Sequence, residues 1–289
     1  MVDLAQLLLT GLREGAVYGL VGVGFVAIYA VTGVINLAQG EFAVLAAFVA
    51  ISALGAGLPL AVAVLAGVLA VAALAVVVER VAIAPARGSS TVAYIILTLG
   101  VSIALKAAAL LVWGADGRGL PAVAAGTMQL GGVVITPQDL AVFAVTALVA
   151  AALYWFFERT LTGKAFRACA EQQVAARLVG ISPARMSRLA FALAGAAAAV
   201  AGILVSPIEL TSWDSGLFLG LKGFVAASLA GMVSIPGAIL GGLLLGVVES
   251  LSGGYVSSGL KDAVAFFVLL VVLVLRPGGV FTRQAKAGA

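Results

Sequence analysis

No histidine occurs in the 289 residues, and cysteine occurs once, at Cys169. The first absence removes imidazole as a metal ligand, a general base or a proton relay. The second rules out an internal disulfide and a thiolate metal site. Charge is scarce too: Asp, Glu, Lys and Arg make up 10% of the chain, against about 25% in soluble domains. That is too little polar surface to coat a water-soluble particle, and too little charge for a disordered or nucleic-acid-binding chain. A Walker A loop is missing, because Gly163-Lys164 is followed by Ala165 and the position five residues before Gly163 is Glu158. Without His, and with scattered carboxylates, no acid–base pair is available for hydrolysis. An enzyme is not expected, and no catalytic residue, metal or cofactor is assigned to this chain. The first nine residues place no basic group ahead of the apolar ones, so a cleaved signal peptide is not expected.

What fills the chain is apolar. Hydrophobic residues make up 63%, against roughly 45–50% in soluble domains, and mean hydropathy is +1.23. The 36 glycines would weaken helices in water, but in lipid small residues let helix backbones approach closely. The expected fold is an all-α polytopic membrane protein, one transmembrane domain over residues 1–289. Apolar runs of about the 20 residues that a span requires fall at 15–31, 40–56, 60–79, 92–113, 138–157, 189–205, 221–248 and 263–275. A transmembrane β-barrel would need alternation over segments of about ten residues, whereas runs such as 62–78 are apolar on every face.

Lys and Arg in the short loops set the orientation. Segment 158–188 holds Arg159, Lys164, Arg167, Arg177, Arg185 and Arg188 against Glu158 and Glu171. Arg80 and Arg87 follow the third span, and Arg276, Arg283 and Lys286 lie in the tail. These regions are expected on the cytoplasmic side, with 114–137 and 206–220 outside, the N-terminus outside and the C-terminus cytoplasmic. A single crossing by 221–248 would put the tail on the wrong side. The run is therefore expected to break at Ser234-Ile235-Pro236-Gly237 into two short half-helices, for eight or nine crossings in all. A second break is read at 32–41, where Asn36, Gln39 and Glu41 lie between apolar segments. Interruptions in both halves of a chain point to a transporter's midplane site.

Within 158–188, Lys164, Arg167 and Glu171 share one helical face, and an Arg167–Glu171 pair is expected across a turn. Phe166, Ala170, Val174, Leu178 and Ile181 recur at spacings of three and four, and Gly180 and Pro183 supply a stop. One short amphipathic helix fits this pattern, either docked in a groove of a cytoplasmic partner or lying on anionic membrane lipid.

The run Arg167-Ala168-Cys169-Ala170-Glu171, followed after five residues by Arg177-Leu178-Val179-Gly180-Ile181, resembles the coupling-loop motif of ABC importer permeases. In particular it resembles the branched-chain amino acid transporter permease family, in its shorter-chain subunit. Tyr18 with Ile35-Asn36-Leu37-Ala38-Gln39-Gly40-Glu41-Phe42 is similar to that family's first signature. Gly220-Leu221-Lys222-Gly223-Phe224 and Ser234-Ile235-Pro236-Gly237-Ala238-Ile239-Leu240-Gly241-Gly242 are similar to its last, as are Tyr255-Val256-Ser257-Ser258 and Arg276-Pro277-Gly278-Gly279. The chain departs from the family pattern at Leu37 and Gln39, where Phe and His are usual, and at Ala230 and Val233, where Gly is common.

The resemblance implies an ABC importer permease fold in the bacterial cytoplasmic (inner) membrane, working by alternating access. It implies an extracytoplasmic binding protein that delivers branched-chain or other hydrophobic amino acids, and a second, homologous permease that completes the path. Two ATP-binding cassette subunits would carry the ATP and Mg. Lys164, Arg167, Glu171, Val174, Arg177, Gly180 and Ile181 would then couple to those subunits. Related members carry urea or small aromatic acids, and these stay open as alternatives, as does an ion-coupled secondary transporter.

For the substrate pathway the candidates are Tyr18, Asn36, Gln39, Glu41, Ser234 and Pro236. Polar groups at membrane depth face a cavity or each other, or they satisfy freed backbone groups at helix ends. Asn36 suits the second role and Gln39 the first. Lys106 suits a snorkelling anchor, as does Lys222, for which a substrate carboxylate or a docked partner is the alternative; Glu249, near the outer end of its helix, suits a gate or an interface. Few charges are expected inside the spans, which suits a zwitterionic substrate without net charge.

Overall fold

In lipid an apolar run must satisfy its own backbone, so each run becomes a helix. The computed structural model describes residues 2–257, 259 and 261–275. Its elements are α1 (Val2–Thr32), α2 (Gln39–Gly55), α3 (Leu60–Val78), α4 (Thr91–Trp113), α5 (Pro137–Arg159), α6 (Leu161–Glu171), α7 (Gln173–Leu178), α8 (Pro183–Val205), α9 (Ser215–Leu229), α10 (Ile235–Tyr255) and α11 (Lys261–Leu275). A π-helical turn, Glu79–Ile83, extends α3, and strands β1 (Met128–Leu130) and β2 (Val133–Ile135) form a hairpin. Gly131 and Gly132 both take positive φ in its two-residue turn, which is the conformation a tight hairpin demands. Six of the helices, α1, α3, α4, α5, α8 and α10, are long and apolar enough to cross a membrane; α2 and α9 are shorter apolar helices. Ser258, Arg276-Pro277-Gly278-Gly279, Arg283 and Lys286 lie outside the described residues.

Helix α1 is the axis of the bundle. Its apolar window is 83% buried, against 17% for those of α4 and α5, whose Ile96, Ile103, Leu111 and Leu148 face outward. Close approach to α10 comes from glycine. A Cβ on Gly15 would lie 2.5 Å from the Gly242 carbonyl oxygen, and one on Gly246 would lie 2.2 Å from that of Gly11. The i, i+4 repeat Gly11, Gly15, Gly19 thus meets Ala238, Gly242 and Gly246 as a small-residue seam.

Four expectations are corrected. Helix α1 begins at Val2 and not near residue 15, because the charges that look like a boundary are paired. Arg13 reaches Asp139 at 3.0 Å, and Lys261 reaches Glu14 at 2.8 Å. Helix α8 begins at Pro183 and not 189, with Pro at its first turn, where the missing N–H costs nothing. The run 221–248 does break, at 230–234, yet only α9 is short: α10 has 21 residues. The Ser234 hydroxyl starts it by accepting from the Gly237 amide at 3.1 Å. Finally, segment 158–188 holds two helices rather than one, parted at Gln172, whose backbone is extended.

The ends of the bundle differ in charge. Segment 158–188 packs beside the end of α1, where Gln173 donates to the Val31 carbonyl. The same end holds Arg87, paired with Glu79. At the opposite end the hairpin is tied down by Gln6, whose amide exchanges two hydrogen bonds with the Val134 backbone. Arg118 and Thr211 bridge the two loops there.

Candidate functional site

The early interruption is a built re-entry. Gly33 at φ +68° ends α1, and the Thr32 hydroxyl accepts from the Val34 amide. Residues 33–38 then turn back into the bundle, where the Thr98 hydroxyl donates to the Ile35 carbonyl at 3.2 Å. Asn36 is fully buried, and its Oδ1 accepts from the Ala38 amide at 3.2 Å. Gln39 opens α2 wedged against the bare backbone of Gly24, and its Nε2 donates to the Ala194 carbonyl at 2.9 Å. Glu41 accepts from the Ser102 hydroxyl at 3.1 Å and lies against Gly216.

At the hairpin end of the bundle a cavity of about 370 Å³ opens between α1, α2, α8 and α9. Its lining combines Tyr18, Glu14, Glu209, Lys222, Lys261 and Asp262 with the apolar Ala43, Val44, Ala47 and Val205. Lys222 joins four helices. Its Nζ lies 2.6 Å from Glu249 Oε1, 2.8 Å from Asp262 Oδ1 and 3.3 Å from the Tyr18 hydroxyl. Glu249 is fully buried, so Lys222 at 2.6 Å, with Lys261 at 3.8 Å, offsets its desolvation.

At the basic end, a cavity of about 680 Å³ is lined by Ser234, Pro236, Val26, Phe166 and Arg167. A second, of about 710 Å³, is lined by Arg87, Arg177, Gly180 and Ile181. Helix α6 anchors itself through Phe166 and Cys169, both buried. Phe166 meets the Phe157 ring edge-on at 5.0 Å. Helix α7 and the residue that caps it instead present Val174, Leu178 and Val179 to the outside, at 67%, 85% and 75% exposure. Gly180 at φ +83° turns the chain away with nothing near it.

Comparison with known proteins decides the family. Residues 7–273 match the model of the branched-chain amino acid transport system / permease component family. The chain belongs to this permease family. It is 35% identical to the high-affinity branched-chain amino acid transport system permease protein BraD of Pseudomonas aeruginosa, covering 96% of this chain and 95% of that protein. The corresponding LivH protein of Escherichia coli is 34% identical with the same coverage. A probable LivH of Methanocaldococcus jannaschii is 26% identical over 90% of this chain and 87% of that one. Among solved structures, a chain of PsaBC from Streptococcus pneumoniae matches with a TM-score of 0.52 at 16% identity, covering 96% of this chain and 93% of that chain. That likeness concerns the fold.

Within the permease the residues singled out from sequence are dispersed. Tyr18 borders the cavity at the hairpin end, Ser234 and Pro236 share a cavity with Arg167, and Arg177, Gly180 and Ile181 share another. Glu171 borders a further one beside Cys169. Asn36, Gln39 and Glu41 line none of these four cavities, and neither do Lys164 and Val174. Arg167 pairs with Glu158 at 2.5 Å and not with Glu171, because Glu158 closes α5 just across the Thr160 turn. The stripe expected from Phe166 to Ile181 is split by the break at Gln172, so its first member is core and Val174 and Leu178 are surface. Sequence patterning does not reveal the charge cluster of Glu14, Lys222, Glu249, Lys261 and Asp262. Lys261 and Asp262 open α11, whereas Glu14 and Lys222 lie mid-helix in α1 and α9, so no shared position along the helices signals the cluster.

Proposed function

We propose that this permease imports branched-chain amino acids as one of two homologous permease subunits in an ATP-driven complex. Full-length membership of the family carries the reading, and the surface of α7 supports it. Three apolar side chains exposed beside Arg177 on a short helix cost free energy in water and invite a partner groove. The partner we assign is an ATP-binding cassette subunit, with ATP and Mg bound there and none on this chain. An extracytoplasmic binding protein delivers the substrate to the opposite end. The protein sits in the bacterial cytoplasmic membrane with α6 and α7 inside, a placement that the concentration of Arg and Lys at that end supports, and with the N-terminus outside. Lys164, Arg167, Glu171, Val174, Arg177, Gly180 and Ile181 form or brace the coupling surface. Tyr18, Asn36, Gln39, Glu41, Ser234 and Pro236 shape the path.

The test is reconstitution with the cognate ATPases, second permease and binding protein. ATP-dependent uptake of L-leucine is expected, with urea and benzoate failing to compete. Leu178→Glu should release the ATPases from a permease that still elutes as folded. Gly180→Trp should leave ATP hydrolysis running without uptake. Retained ATPase binding and coupling in both variants would assign α7 to the lipid surface instead.

A further inference from the structure

The outer cavity has both charged and apolar lining, and its charged residues carry an arrangement that the family reading does not explain. Helix α11 opens with Lys261 and Asp262, a cation and an anion on adjacent residues. Lys261 Nζ is 2.8 Å from Glu14 Oε2, and Asp262 Oδ1 is 2.8 Å from Lys222 Nζ. Glu14 and Lys222 hold their charges deep, with side chains 10% and 12% exposed; those of Lys261 and Asp262 are 30% and 51% exposed. The deep pair is therefore fixed and the α11 pair is the more replaceable. An adjacent ammonium and carboxylate are what a zwitterionic amino acid presents.

We propose that this cavity receives the amino acid itself, its carboxylate replacing Asp262 on Lys222 and its ammonium replacing Lys261 on Glu14. Resting on the import reading above, the proposal adds where and how the substrate is held. Ala43, Val44, Ala47 and Val205, which also line the cavity, offer a branched aliphatic chain an apolar surface. A cavity of about 370 Å³ lies within the usual range for small-ligand sites, roughly 300–1,000 Å³. Exchange of partners rather than creation of new charge keeps the desolvation cost low, because each buried ion is paired before and after. Lys261 and Asp262 act in the empty state as stand-ins for the substrate head group. A molecule carrying one of the two charges displaces one stand-in and leaves the other pair closed. The site thus selects zwitterions over amines or acids of the same shape.

The experiment uses the complete complex, with Cys169→Ser and Ser215→Cys so that one thiol stands on the cavity wall. Its labelling by a methanethiosulfonate reagent is timed with L-leucine, 4-methylpentanoate or isopentylamine present. At ten times the dissociation constant, occupancy near 90% should slow labelling about tenfold for leucine; the two single-charge analogues should leave the rate unchanged. Lys222→Gln should raise the leucine concentration needed by about thirtyfold or more, and Lys222→Arg should restore much of the protection. Should Lys222→Gln fail to assemble, Asp262→Ala decides: removing the stand-in should lower the leucine concentration needed. Equal protection by 4-methylpentanoate, or no protection by leucine in a complex that still imports leucine, overturns the site while the import reading stands. Absence of leucine import from the unsubstituted complex overturns the import reading instead.

Discussion

Replacing Gly246 by Ala tests whether the α1–α10 seam holds the bundle together. The new Cβ would lie 2.2 Å from the Gly11 carbonyl oxygen, 2.4 Å from the Gly15 amide nitrogen and 2.6 Å from the Gly15 Cα. All three are backbone atoms of a buried helix, so no side chain can rotate aside. Ordinary contact needs about 3.5 Å or a little less, so the helices must part by roughly 1 Å at this level. Such a gap forfeits a quarter to a half of each dispersion contact along the neighbouring turns. Overpacking of this kind costs about 1–3 kcal/mol, and the rigid neighbours put the expected cost near the upper end. Thermal melting of the purified protein in detergent should then fall by roughly 5–10 °C, at about 2–4 °C per kcal/mol for a domain of this size class. Gly100→Ala is the control, since nothing lies within 4 Å of that position on α4 and Ala favours a helix by about 0.8–1 kcal/mol over Gly. Equal melting temperatures for Gly246→Ala and the unsubstituted protein would refute the seam.

Glu79→Ala should destabilise the protein by about 3 kcal/mol or more, because Glu79 is buried between Arg87 at 2.5 Å and the Ser187 hydroxyl at 2.7 Å. Glu79→Gln should recover part of that loss in the same melting assay, and no difference between the two would deny the charge a role. Burial pushes the Cys169 thiol above its ordinary range, with Arg177 pulling the other way. N-ethylmaleimide should therefore react with it far more slowly than with Cys169 of the denatured chain. The fold favours the protonated thiol, so this contribution to stability is lost as the pH rises above the ordinary thiol range. Alkylation of the native protein at the denatured rate would contradict the burial. Gln39→Leu removes the bond to the Ala194 carbonyl while leaving that carbonyl within its helix. It should lower uptake severalfold with assembly intact, by loosening the α2 entrance; unchanged uptake would make Gln39 a packing residue.

The interruptions of the apolar runs are legible in the amino-acid sequence. The breaks at 32–41 and near Ser234 follow from Gly, Pro and polar residues placed between apolar runs, and both are present in the fold. Local rules are enough there because helix interruption is decided within one or two turns. The start of α1 escapes such rules for the opposite reason. Arg13 and Glu14 look like a boundary until Asp139 and Lys261, more than a hundred residues away, are seen to neutralise them. Helical spacing likewise points to an Arg167–Glu171 pair, because it takes no account of Glu158 on the preceding helix.

Composition alone determined that the chain lives in a membrane, since 63% hydrophobic residues with 10% charged allow no water-soluble surface. Loop charge pointed to its orientation, and the motifs to its family. These properties sum over residues or read along a few turns. Only the tertiary structure decided that five charged residues from α1, α9, α10 and α11 form one cluster, four of them on a cavity that Ala43, Val44, Ala47 and Val205 also line. Charges cluster in space through packing of helices far apart in sequence, and a linear pattern carries no distance between Glu14 and Lys261. The small residues that permit that packing can be counted along the chain. Their pairing, Gly11 with Gly246 and Gly15 with Gly242, cannot be read there.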